Sequence, residues 1–325
     1  MSPTTRIFVL VLVSAAFTQP MSGKNDRARL TPQLVPGQKF AYLISYQLNR
    51  TIKAQSRYKA PDQPEGKLTL QSVLNVEILG RDASGFRLRS QFSSSADSKS
   101  DAPASTTQNA PAPSPGQKAA PANWVECVLA DDGSVSSLTG LEKLAPVQQL
   151  AWREWIARFA AAMVYPKNGV KPGEKWDSDE PENAPSPIAG LAWKRNSQYV
   201  RDEPCPEATR TNAGDLADST NKSETCAVIL TTATLKQNSS PKDSTPEDYK
   251  LNHLKTSGTA TGKNQTILYI SRKTGLLMRS SESDQQSMDV TVALADASNE
   301  VHYNIVAESH ARLLFLSATQ PAGKP

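Results

Sequence analysis

Apolar and polar residues alternate with a period of two along most of this chain. Phe40, Tyr42, Ile44, Tyr46 and Leu48 fall on one face of a segment whose other face carries Lys39, Ala41, Ser45 and Gln47. That period marks a half-buried strand. Leu68, Leu70, Leu74, Val76 and Ile78 repeat it up to Gly80, and Phe86, Leu88, Ser90 and Phe92 return after a turn at Asp82–Gly85. Trp124 to Ala130 and Ser134 to Leu138 form a hairpin about Asp131-Asp132-Gly133. Later segments at Leu191–Val200, Cys226–Leu235, Leu254–Ala260, Gln265–Arg272, Leu276–Glu282, Ser287–Ala295 and Glu300–Leu316 also read as strands. Gly258, Gly262 and Gly275 read as turns between them. Consecutive strands with short turns predict an antiparallel meander.

The period changes once. After Pro146, the spacing of Leu150, Trp152, Trp155, Ile156, Phe159 and Met163 predicts a helix over 147–164, ending before Pro166. Arg153, Glu154 and Arg158 are expected on its polar side. A helix this aromatic in a β-rich chain is expected to pack across the open side of a sheet.

The phrase Pro-Gly-x-Lys-aromatic occurs twice, at Pro36-Gly37-Gln38-Lys39-Phe40 and Pro172-Gly173-Glu174-Lys175-Trp176. The turns Asp132-Gly133 and Thr274-Gly275 recur at nearly the same interval. Two landmarks with one period predict two similar halves. Pro and Gly punctuate the start of each leading strand, and Phe40 and Trp176 are expected to anchor it inward. The predicted fold is mainly β: a curved antiparallel sheet, as a half-barrel or open barrel, in two similar halves with one main helix packed on it.

The remaining segments bound the domain. Arg6 precedes the short apolar run Ile7–Ala16, followed by small residues, which reads as a signal peptide over 1–22. The expected order is then the first half of the β domain over 23–92, a low-complexity insertion over 93–123 and a hairpin over 124–140. The helix with its flanks follows over 141–166, the second half over 167–316 and a disordered tail over 317–325. The Ser-, Ala- and Pro-rich insertion has no large apolar residue, so it cannot offset its ordering entropy and is expected to be disordered. Such a chain is expected to be exported, to the periplasm or beyond the cell, with no stable membrane span after signal cleavage.

Composition excludes several function classes. The net charge of +4 is scattered, with no basic run, so no nucleic-acid footprint is expected. His302 and His310 stand on one face of a strand but roughly 27 Å apart at about 3.3 Å per residue, too far to share an ion. His253 is isolated. No metal site and no cofactor are expected. No Gly-x-Ser-x-Gly elbow or Gly-rich phosphate loop occurs, and Asp177-Ser178-Asp179-Glu180 reads as solvated surface. No catalytic residue is predicted, and the chain is not expected to be an enzyme. Asn49, Asn221, Asn238 and Asn264 begin Asn-x-Ser/Thr triplets, which would accept glycans only in a eukaryotic secretory pathway.

The order of landmarks resembles that of uncharacterised exported bacterial β-rich proteins. The resemblance rests on Pro-Gly before the Tyr-rich strand Phe40-Ala41-Tyr42-Leu43-Ile44-Ser45-Tyr46, on the helix leading to Tyr165-Pro166 and Gly173-Glu174-Lys175-Trp176, and on the hairpin Leu268-Tyr269-Ile270 to Thr274-Gly275-Leu276. Such proteins are distantly similar to the half-barrels of periplasmic lipoprotein carriers, in which a curved sheet wraps helices around an apolar cavity. The resemblance implies a hydrophobic or lipid-like small molecule held between sheet and helix. The candidate lining is Phe40, Tyr42, Ile44 and Tyr46 from the strand, with Trp152, Trp155 and Phe159 from the helix. The alternative is a structural or protein-interaction module of the cell envelope without a ligand cavity.

Of three cysteines, Cys205 and Cys226 flank a polar loop and are expected to pair in an oxidising compartment. The bridge closes a loop of about 22 residues, for about 3 kcal/mol of stabilisation on the chain-entropy estimate. Cys127, in a strand-like run, is expected to be a buried free thiol. Titration of the denatured, unreduced protein should therefore find one thiol; three would exclude the bridge.

Overall fold

The computed structural model describes residues 27–56, 66–93, 124–181, 186–206, 224–294 and 299–319. The predicted signal peptide, almost all of the low-complexity insertion, Asn221 and the last residues of the tail lie outside them. The first meander comprises β1 (Lys39–Ser56), β2 (Gly66–Asp82), β3 (Gly85–Phe92), β4 (Val125–Leu129) and β5 (Val135–Thr139). Helix α1 (Pro146–Ala161) follows and continues as a 3-10 turn through Val164. The second meander comprises β6 (Lys175–Pro181), β7 (Leu191–Pro204), β8 (Thr225–Gln237), a short helix α2 (Glu247–Leu251), β9 (Leu254–Ser271), β10 (Leu277–Leu294) and β11 (Glu300–Thr319).

All these strands form one antiparallel sheet in the order β5-β4-β3-β2-β1-β11-β10-β9-β8-β7-β6. The sheet is curved and open, with β5 and β6 at its edges. Each meander advances across it in the same direction. They meet where β1 pairs with β11 along its whole length, from Lys39 opposite Thr319 to Ser56 opposite Val301. α1 belongs to the connection that carries the chain from the β5 edge to the β6 edge, and it lies against β1, β2 and β11. The face it covers is called inner below.

The repeated Pro-Gly phrase has one structural meaning in both places. Gly37 and Gly173 have φ of 80° and 88°, the left-handed value that the third residue of a type II turn requires. The Gln38 N–H closes the first turn on the Val35 carbonyl and the Glu174 N–H closes the second on that of Lys171. Each phrase then makes the same two bonds to the next strand. The Gly37 N–H donates to the Ile78 carbonyl (2.7 Å), and the Ile78 N–H donates to Gln38 (2.9 Å). The Gly173 N–H donates to Tyr199 (2.6 Å), and the Tyr199 N–H donates to Glu174 (3.0 Å). Phe40 and Trp176 follow on the inner face, Phe40 against Phe159 (6.4 Å between ring centroids) and Trp176 edge-on to Tyr165 (5.7 Å). The settings differ because β11 flanks β1, whereas β6 is an edge.

Where the sequence suggests four short strands over 254–295, the structure has two long ones, β9 and β10. Gly258 and Gly262 are not turns. A Cβ on Gly262 would lie 2.9 Å from the Trp193 ring and 3.1 Å from the Leu235 Cβ, so the glycine makes room for the indole lying over it. The Gly258 N–H donates to the Pro241 carbonyl (2.8 Å), and a Cβ there would meet the Asp289 carbonyl. In-strand glycine marks close approach here. Only Gly275 turns, with φ of 70°. β11 runs past Leu316 to Thr319.

The main core lies between α1 and the sheet. Pro146 supplies a helical φ at the first position, and the Gln148 side chain accepts the Ala145 N–H at 3.2 Å. The helix buries Val147, Ala151, Trp152, Trp155, Ile156 and Phe159. Arg158 is buried too, contrary to its expected place on the polar side. The segment before β1 adds a strap that the strand pattern does not reveal. Ala28 bridges Val170 through two backbone bonds, and Leu30 and Leu34 enter the core. Arg27 anchors the strap on Glu174 at 2.5 Å. A second, smaller core gathers Ile188, Leu191, Trp193, Leu235, Ala260 and Val290. Cys205 and Cys226 form the disulfide, with 4.9 Å between Cα atoms, and Cys127 is free and buried.

Adding volume under Trp193 should be costly. Gly262→Val is expected to destabilise by about 2 kcal/mol, within the range for overpacking. Gly66→Ala should fall within about 0.5 kcal/mol of wild type, because among the described residues its Cβ would meet only the Arg50 carbonyl at 3.9 Å. Denaturant midpoints at unchanged slope check both.

Candidate functional site

The register fixes which inner-face side chains neighbour one another, and three zones follow from it. The first lies under α1 and contains every residue of the predicted lining. Phe40, Tyr42, Ile44, Tyr46, Trp152, Trp155 and Phe159 are brought together, each no more than 4% exposed. Tyr42 lies 6.4 Å from Trp155, Trp155 stacks on Phe159 at 5.3 Å, and Trp152 stands 6.1 Å from Trp155. These rings fill the space between helix and sheet with their own side chains. The Trp152 indole N–H donates to the Ser90 hydroxyl at 2.7 Å, a polar link inside the core. Burial pushes the Tyr42 phenol above its ordinary pKa, and the Cys127 thiol up to about 12, so neither is an activated group.

The second zone is a polar belt crossing the sheet next to the aromatic cluster. Successive strands place Tyr46, Ala311, Glu282, Thr266, Thr231 and Ser197 side by side, with Ser309, Asp284, Asn264 and Arg195 in the neighbouring rows. Arg158 descends from α1 and donates two hydrogen bonds to the Glu282 carboxylate. Asn264 donates to the same carboxylate, and the Thr266 hydroxyl donates to the Asn264 carbonyl oxygen at 2.9 Å. Glu154, one turn earlier on α1, lies 3.4 Å from Arg158. Burial opposes the charge on Arg158, but Glu282, Glu154 and Glu180 outweigh it and raise its pKa. The Ser197 and Thr231 hydroxyls lie 2.8 Å apart. Through Arg158 this network anchors the helix to the sheet.

The third zone lies beyond the belt, where α1 does not reach. A row that alternates small and polar residues comes first: Gly66, Arg50, Ala307, Gln286 and Gly262 stand in register. Apolar rows follow. Ile52, Ile305, Met288 and Ala260 are neighbours, then Ala54, Tyr303 and Val290, then Ser56, Val301 and Val292. Ile52, Ile305, Met288, Tyr303, Val301 and Val292 are all only half-buried. Their alternation is legible in the sequence, but which rows the helix covers is not.

The outer face is mixed, with Leu43 beside Leu314 and with Val306 and Ile267 exposed among polar residues. His302 and His310 both lie there on β11, and His302 stands 3.6 Å from Asp289. Asp177 to Glu180 lie within edge strand β6, with Asp177 and Asp179 exposed. Asp177 accepts from Asn196 at 2.9 Å on this face, whereas Glu180 pairs with the inner-face Arg195 at 2.6 Å. A concavity of about 600 Å³ is lined there by Asp177, Asp179, Lys194, Asn196 and Thr232, and one of about 310 Å³ by Gln55, Ser56, Thr291, Glu300 and His302.

No family model and no curated protein matches the chain. Among solved structures it is similar to one concerned with lipid–protein interactions in lipovitellin, at 12% identity and a TM-score of 0.39. The alignment covers 90% of this chain and 26% of that one, so the chain spans about a quarter of that protein's length. Among the described residues no helix is long and apolar enough to cross a membrane.

Breaking the belt at one partner strands a buried charge. Arg158→Met and Glu282→Leu should each cost about 3–5 kcal/mol, whereas the double variant should recover much of that loss. Chemical denaturation of the four proteins checks the coupling, and additive losses would count against it.

Proposed function

We propose that the protein is an exported, non-enzymatic binding protein that holds a hydrophobic or lipid-like ligand on the inner face of its sheet. One observation carries the reading. The apolar rows of Ile52, Ile305 and Met288 and of Tyr303, Val301 and Val292 continue the buried face past the end of α1 and remain half-exposed. Contiguous half-buried apolar surface suits a ligand that removes it from water, at roughly 25 cal/mol per Å² buried. The site therefore lies beyond the helix rather than beneath it, where aromatic rings occupy the space. Export fits the Cys205–Cys226 disulfide, since such bridges persist in oxidising compartments.

Native mass spectrometry of gently purified protein should detect a bound hydrophobic molecule. The stripped protein should take up a fluorescent fatty acid in the micromolar range. Met288→Asp and Ile305→Asp should weaken uptake more than tenfold, whereas Val306→Asp, on the exposed outer face of the same strand, should leave it unchanged. A protein purified empty that also fails to bind the probe would overturn the proposal.

A further inference from the structure

We infer that the ligand is an anionic single-chain amphiphile whose headgroup is held by Arg50; the inference rests on the binding reading above and names its chemistry. Arg50 is an exposed residue of β1, and strand alternation between Leu48 and Ile52 places it on the inner face. Its register neighbours are Gly66 on one side and Ala307 on the other. Both are small, so neither neighbouring strand sets a bulky side chain directly opposite Arg50. Among the described residues a Cβ on Gly66 would find only the Arg50 carbonyl within 4 Å, at 3.9 Å.

Charge separates Arg50 from the other arginines of this face. Arg158 is held by Glu282, and Arg195 by Glu180 at 2.6 Å. Among the described residues Arg50 forms no ion pair. The carboxylate nearest in register is Asp284, one row toward the belt, and its Oδ2 accepts a hydrogen bond from the Gln286 amide at 3.0 Å. An inward guanidinium bordering an apolar trough complements a carboxylate, sulfate or phosphate on an alkyl chain, because its planar donors match an oxyanion bidentately.

The trough gives the tail its direction. From Arg50 the inner rows advance through Ile52, Ile305 and Met288, then Ala54 and Tyr303, then Val301 and Val292. Alternate residues of a strand lie about 6.6 Å apart, so these three rows extend about 20 Å from the charge. In the other direction the path ends at the belt, where Ser309, Asp284 and Asn264 would leave a tail against polar groups. The molecule thus has one charged end and one apolar direction, which is the outline of a fatty acid or an alkyl phosphate.

Displacement of a fluorescent probe from the full chain, using hexadecanoate, hexadecyl phosphate and hexadecanol, tests this. Wild type should prefer both anions over the alcohol by about tenfold or more. Arg50→Gln should bring the anions down to the alcohol's affinity and leave the alcohol unchanged, and Arg50→Lys should keep part of the preference. The anion that binds more tightly identifies the headgroup. Equal binding of acid and alcohol by wild type, or an unchanged preference in Arg50→Gln, overturns the headgroup assignment while leaving the hydrophobic reading intact. If no amphiphile binds, the hydrophobic reading itself fails. If, in addition, the protein is dimeric by analytical ultracentrifugation and Ile305→Asp is monomeric, a second copy of the chain covers the trough and the inference is overturned.

Discussion

The pairing of β1 with β11 makes one sheet out of two meanders. Among the described residues every other strand pairing is between consecutive strands. This seam joins strands from opposite ends of the domain and carries the largest loop-closure cost in the fold. Its return is a continuous inner face. Because Tyr46 lies beside Ala311 and Ala311 beside Glu282, the first meander's aromatic surface and the second meander's polar row become neighbours. α1 then has something to lie across, and Arg158 of a helix packed mainly on β1 and β2 reaches a carboxylate on β10.

That ion pair determines how far the helix reaches. A buried guanidinium without its carboxylate is severely penalised, so Arg158 holds α1 at one position over the sheet. The belt of Glu282, Asn264, Thr266, Thr231 and Ser197 thereby separates a region packed by aromatic rings from the half-buried apolar rows beyond. A hydrophobic pair in the same place would contribute comparable stability without specifying that position as sharply. The belt thus marks where the helix-covered core ends.

The two Pro-Gly phrases show how local chemistry recurs inside a global arrangement that differs. Each builds the same turn and the same two bonds to the following strand, since Gly37 and Gly173 supply a positive φ and Pro a fixed one. Yet one leading strand is central and the other is an edge. Turn geometry extends only over a few residues; the identity of the far neighbour depends on the rest of the chain.

The sequence by itself determined what depends on period and backbone restriction. Alternation assigned Phe40, Tyr42, Ile44 and Tyr46 to one buried face, helical spacing brought Trp152, Trp155 and Phe159 onto another, and flanking position paired Cys205 with Cys226. Residues whose role depends on a distant partner were not legible. Gly262 reads as a turn until Trp193 is placed over it, and Arg158 reads as solvent-facing until Glu282 meets it. Leu30 and Leu34 follow neither period, and their burial became visible only with the bridge between Ala28 and Val170. Only the tertiary structure decided that the predicted lining lies buried beneath α1 and that half-buried apolar rows lie past Arg50. Alternation records which side of a strand is apolar, whereas coverage depends on where a helix of finite length comes to rest.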